Sequence, residues 1–153
     1  MPLSDLLAQD AVIPSLKGST KKQVLQDLAD HAAAVSGLDP RDLFETLLQR
    51  ERLGSTGIGR GIAIPHGKMA KADRLFGLFA RLEKPVDFEA LDGEPVDLVF
   101  LLIAPEAAGA DHLKALARVA RILREPSTVQ ALRTTRDPSA LFAVLTQAQP
   151  HAA

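Results

Sequence analysis

Gly54-Ser55-Thr56-Gly57-Ile58-Gly59-Arg60-Gly61-Ile62-Ala63-Ile64-Pro65-His66-Gly67-Lys68 is the stretch on which the rest of the chain turns. Glycines at 54, 57, 59 and 61 let the backbone approach another molecule closely. The run then opens onto a short apolar strand at 62–64. A Rossmann fingerprint instead opens onto a helix, and it requires glycine where Ile62 stands, three residues after Gly59. A Walker loop fails as well, because five residues separate Gly61 from Gly67 and Met69 follows Lys68. A nucleotide cradle is therefore a poor reading. Pro65 is expected to stop the strand from pairing further, and Gly67 to let the chain leave without covering the ring. Both point to an exposed, rigidly held His66.

Upstream, Thr20 with Gln23 forms a capping box, and Val24, Leu25, Leu28, Ala29, Ala32 and Val35 follow at helical spacing until Gly37. Asp39-Pro40 restarts a helix, with aspartate as N-cap and proline at the first position. Leu43, Phe44, Leu47 and Leu48 make its apolar stripe, which runs out near residues 50–52. Downstream, residues 75–82 and 96–103 are dense in apolar side chains and read as strands buried on both faces. Pro85 and Asp92-Gly93 are expected to supply the turns between them. Asp111 is expected to cap a helix whose apolar positions are Leu113, Leu116, Ala117, Ala120 and Leu123. Two further helices follow Pro126 and Asp137-Pro138. Alternating helices and buried strands predict an α/β fold, a small mixed β-sheet flanked by helices. Residues 1–149 read as a single domain and 150–153 as a frayed tail.

The composition narrows the function classes. With 153 residues the chain can bury a sizeable core, and a net charge of −1 with 46% apolar residues argues against disorder and generic nucleic-acid binding. The absence of cysteine removes disulfides, thiolate nucleophiles and Cys-based metal sites. No signal peptide or membrane-length apolar run is evident, so a cytoplasmic protein without membrane insertion is expected.

The four histidines are not equivalent. His31 stands beside apolar helix positions, which favours a structural role, and His151 falls in the tail. His112, in the first turn of a helix, sits where unpaired amides and the dipole disfavour imidazolium. Lys114, Arg118, Arg121 and Arg124 make a cationic stripe on the same helix. Such a stripe is ordinarily a solvated face; alternatively it helps select an acidic partner.

The segment from Gly54 to Gly67 resembles the active-site segment of the IIA domains of the bacterial phosphotransferase system, of the mannitol, fructose and nitrogen type. Within that group it is most similar to the nitrogen-regulatory branch. The resemblance extends over Pro95-Val96-Asp97-Leu98-Val99-Phe100-Leu101-Leu102-Ile103 and Asp111-His112-Leu113-Lys114-Ala115-Leu116. It implies that fold and a phosphohistidine carrier: His66 as phosphoryl acceptor on Nε2, His112 stabilising the phosphoryl group, and Arg50 stabilising its charge. Arg52, Arg60 and Lys68 are alternatives for the electrostatic role, with Arg60 also a candidate for partner contact. The implied donor is an HPr-like phosphocarrier protein (NPr), and the implied targets are regulated proteins such as potassium-transport components. No cofactor and no metal is expected.

With an ordinary pKa near ~6.5, much of His66 is neutral at cytoplasmic pH and can act as a nucleophile. Three other readings remain open from sequence. One is a sugar-specific IIA passing phosphate to a IIB domain. Another is a binding-only regulatory module. The last is a hydrolase with His66 and His112 as metal ligands, although no His-Glu-x-x-His motif is present.

Overall fold

In the computed structural model, residues 2–147 are described; His151 and the expected tail at 150–153 lie outside them. The chain begins with two short 3-10 turns, Leu3–Asp5 and Gln9–Ala11, followed by strand β1, Val12–Leu16. Helix α1, Lys21–Ser36, starts where Thr20 accepts a hydrogen bond from the Gln23 amide. The reciprocal half of the box is displaced by one residue, since the Gln23 side chain accepts from the amide and hydroxyl of Ser19. Gly37, with φ +77, closes the helix in the left-handed conformation that glycine adopts without penalty. Helix α2, Pro40–Arg52, has the expected Asp39 cap on the amide of Asp42. Leu43 and Leu47 are completely buried beneath it, each contributing about 2 kcal/mol of apolar transfer energy.

The strands β2 (Gly57–Gly59), β3 (Ile62–Ala63), β4 (His66–Met69), β5 (Phe76–Val86) and β6 (Val96–Pro105) complete a six-stranded mixed sheet with β1. Its order is β1-β5-β6-β3-β2, and β4 also pairs with β6. Strands β3 and β4 run parallel to β6, β5 antiparallel to it, and β1 parallel to β5. Residues 98–104 are all buried, as their continuous apolar sequence predicts for a strand covered on both faces. Helices α3 (Ala110–Ile122), α4 (Pro126–Thr134) and α5 (Pro138–Gln147) follow.

Four expectations are corrected. Pro85 lies inside β5, not in a turn; the register with β6 shifts between Arg81 and Val86, so its missing N–H removes no ladder bond. Pairing does not end at Pro65 either. Its carbonyl accepts from the Leu102 amide at 2.9 Å, and β4 begins at once with His66 opposite Leu102. Asp111 is not a cap: Gly109 precedes α3, no side chain caps it, and Asp111 stands in the first turn. His31 is exposed on the outer face of α1 and has no part in the core.

The orientation of α3 also differs from its simplest apolar reading. The buried residues are His112, Ala115, Val119 and Ile122, whereas Leu113 is 69% exposed. Expected Leu123 is buried and Leu116 and Ala120 are partly so, but the centre of the buried face is turned by one residue. That turn brings His112 inward.

Candidate active site

His66 is the first residue of β4 and is half-buried, with less exposure than its Pro-His-Gly setting predicts. The reason is the close packing of α2 on β4. A Cβ on Gly67 would lie 2.5 Å from Cγ2 of Thr46, so glycine is needed there for approach of the helix. The Gly67 explanation offered from sequence, exit of the chain, is thus replaced by a packing one.

The imidazole is held from one side only. Nδ1 lies 2.8 Å from the Ile64 carbonyl. A carbonyl can only accept, so Nδ1 carries the proton and the neutral ring keeps its lone pair on Nε2. Toward that nitrogen Arg50 donates Nε–H at 3.3 Å, while its Nη1 donates to the Gly54 carbonyl at 3.0 Å. Arg50 is thereby anchored at the C-terminal end of α2. Burial lowers the His66 pKa below its usual 6.5; the Ile64 bond opposes this, Arg50 adds to it and Glu51 opposes it.

His112 packs edge-on against His66, with ring centroids 5.6 Å apart and planes at 67°. It is 5% exposed, and its Nε2 is buried with no hydrogen-bond partner. Burial depresses its pKa, followed by the His66 and Lys68 charges. The structure thus brings Arg50, His66 and His112 together. Lys68, two residues along β4, shares the side of the strand occupied by His66. Arg52 is exposed. Arg60 sits in the β2–β3 turn at φ +59, its amide held by Asp92 at 2.8 Å and its carbonyl by Arg133. Among the described residues no group of three or more His, Cys, Asp or Glu side chains converges as a metal site.

A polar cluster centred on Glu51 escapes sequence reading. Glu51 is 7% exposed, accepts from the amide and hydroxyl of Thr56, and pairs with Lys21 at 2.8 Å. This buried cluster ties the end of α2, next to Arg50, to the start of the glycine run. Ser55 reinforces it by donating to the Phe88 carbonyl at 2.6 Å. An acid flanked by Arg50 and Arg52 reads as surface charge, and Lys21 lies thirty residues upstream. No local pattern announces either.

Comparison with known proteins places this geometry in context. Residues 5–148 match the family described as "Phosphoenolpyruvate-dependent sugar phosphotransferase system, EIIA 2". The chain is 59% identical over 145 residues to a nitrogen regulatory protein of Bradyrhizobium diazoefficiens, covering 95% of each chain. The crystal structure of nitrogen regulatory protein IIA-Ntr from Neisseria meningitidis superposes with a TM-score of 0.88 at 36% identity, covering 94% of this chain and 98% of that one. The mannitol IIA of Escherichia coli shares the fold, with a TM-score of 0.77 at 19% identity over 90% of this chain and 97% of that one. No described helix is long and apolar enough to cross a membrane. The chain belongs to the EIIA 2 family of the phosphoenolpyruvate-dependent phosphotransferase system.

Proposed function

We propose that the chain carries a phosphoryl group on Nε2 of His66, accepts it from an HPr-like phosphocarrier, and regulates partner proteins through its phosphorylation state. The observation that carries this reading is the hydrogen bond from Nδ1 of His66 to the Ile64 carbonyl, which leaves Nε2 as the nucleophilic nitrogen. In the step, the Nε2 lone pair attacks phosphorus of a donor phosphohistidine. A new N–P bond forms as the donor's N–P bond breaks, and that electron pair returns to the donor ring. The proton on Nδ1 stays in place, and the Ile64 carbonyl stabilises the positive charge that the His66 ring gains.

Arg50 and His112 then serve the phosphoryl oxygens. Arg50 moves aside from Nε2, still tethered to the α2 terminus, and pairs with the developing negative charge. His112, kept neutral by burial, offers its unpartnered Nε2 as an N–H donor. Donors set in a water-poor pocket before reaction are worth more than the same donors in water. The nitrogen-regulatory names of the relatives support a regulatory output over a sugar-specific relay; the regulated partners in this proposal are proteins such as potassium-transport components.

The test is incubation with phosphoenolpyruvate, enzyme I and an HPr-like carrier, followed by mass-spectrometric mapping of acid-labile phosphate. Label on the wild type that vanishes in His66→Ala is the expected result. An unlabelled protein in the presence of charged carrier overturns the proposal.

A further inference from the structure

At the far end of α3 from His112, a cavity of about 310 Å³ opens between the β2–β3 turn and the α3–α4 corner. Its floor is aliphatic, from Ile62, Leu123 and Val129, and its rim carries Arg60, Arg124 and Arg133 with no carboxylate among the lining residues. The volume lies at the lower end of ligand clefts, which begin at about 300 Å³.

One side of the rim, at Arg133, is built in advance. Arg133 is held bidentately by Asp97, Nε and Nη2 each at 2.9 Å, and its Nη2 also donates to the Arg60 carbonyl at 2.6 Å. Gly61, at φ +81, makes room for this: a Cβ there would meet Nη2 of Arg133 at 2.5 Å. Behind it, Arg81 donates to the Arg133 carbonyl at 2.8 Å and feels the repulsion of Arg136. Asp97 is the one carboxylate in ion-pair contact with these arginines among the described residues. Asp92, on the same turn, is occupied by the amides of Arg60 and Glu94. Glu125 is exposed beside Arg124. Cations thus outnumber the acids paired to them around an apolar recess.

The geometry points to a binding site here for a small anionic amphiphile, an aliphatic chain ending in a carboxylate or phosphate. The chain fills the recess over Ile62, Leu123 and Val129, and the head group is received by Arg60 and Arg124, whose guanidinium groups are not tied up by Asp97. Leu123 stands eleven positions after His112, about 16 Å along the axis of α3, so the recess and the His66 ring are separate places on the molecule.

The experiment is an amide-resolved NMR titration of the full chain with octanoate and with octyl phosphate, beside octanol and octyltrimethylammonium as controls. Saturable shifts confined to residues 60–62 and 123–134 are expected for the two anions, and their relative affinity distinguishes carboxylate from phosphate. Arg124→Glu, at an exposed position, is expected to weaken both by about tenfold or more, equivalent to one lost charge-assisted contact. Arg124→Lys should retain most of the affinity. Equal binding of octanol or of the alkyl cation, shifts centred elsewhere, or no saturable binding of either anion overturns the site. Because the readout is binding to unphosphorylated protein, its failure is distinguishable from failure of the phosphocarrier reading.

Discussion

Nε of Arg50 points at Nε2 of His66 from 3.3 Å, across sixteen residues of sequence, while Nδ1 of the same ring is engaged by its own strand. One nitrogen of the imidazole is thus committed to the backbone and the other faces a guanidinium. A cation beside a lone pair disfavours protonation there and suits the arrival of a negatively charged group. This relationship makes the arginine's contribution measurable apart from that of the histidine.

Replacing Arg50 with alanine is expected to slow phosphoryl transfer to His66 by about 10²- to 10³-fold, the scale of losing one preorganised donor. Rapid-quench measurement of acid-labile phosphate checks it. Arg50→Gln should also raise the His66 midpoint, since Arg50 is one of the groups lowering it. An unchanged midpoint by NMR titration would count against the contact in solution.

Both histidines of the candidate site have pKa values below 6.5 in the fold, for each chiefly because burial penalises the charged ring. The unfolded chain therefore binds more protons than the native one as pH falls through the unfolded value near 6.5. Stability is expected to be full above about pH 7 and to decline as pH is lowered, until the folded-state values are reached. Urea denaturation at stepped pH tests this. A double His66→Gln, His112→Gln variant should lose that part of the slope, and an identical slope in the variant would refute the assignment.

Glu51→Ala leaves the buried Thr56 amide without its acceptor, and leaves Lys21, only 18% exposed at its side chain, to the more distant carboxylate of Glu89 at 3.8 Å. A loss of about 3 kcal/mol is expected, in line with breaking a buried pair from one side. Glu51→Gln, which still offers an oxygen to Thr56, should cost less. Equilibrium unfolding of the two variants separates the outcomes, and a negligible loss for alanine would show the cluster to be dispensable.

Gly67→Ala is expected to destabilise by about 1–3 kcal/mol through overpacking against Thr46. Thr46→Ser removes the methyl that the new Cβ would strike. The double variant should recover most of the loss. Additive losses in the cycle would mean that the strain lies elsewhere.

Much of the fold and of the site was legible in the chain before its tertiary structure. Caps at Thr20 and Asp39, the stop at Gly37 and the continuous apolar run of β6 all rest on interactions within a few residues, or on burial so complete that no periodicity is needed. The Pro-His-Gly setting of His66 drew the eye to that residue, but its pairing and the reason for Gly67 came from neighbours on β6 and α2.

The remaining features depended on what each segment packs against. Leu113 and His112 are neighbours on α3, and an apolar count alone favours the leucine inward. The helix turns the other way because its inner face meets the buried sheet and the His66 ring, leaving Leu113 to solvent. Pro85 could remain in a strand only because a register shift frees it from the ladder. Glu51 became a buried anchor only because Lys21 and Thr56 arrive from other parts of the chain. By itself the sequence determined the helices and the strands β3, β5 and β6, but β1, β2 and β4 carried too few apolar residues in register to be read from it. Tertiary packing decided which side chains lost their water and which charges had to be paired, since desolvation is set by non-local neighbours.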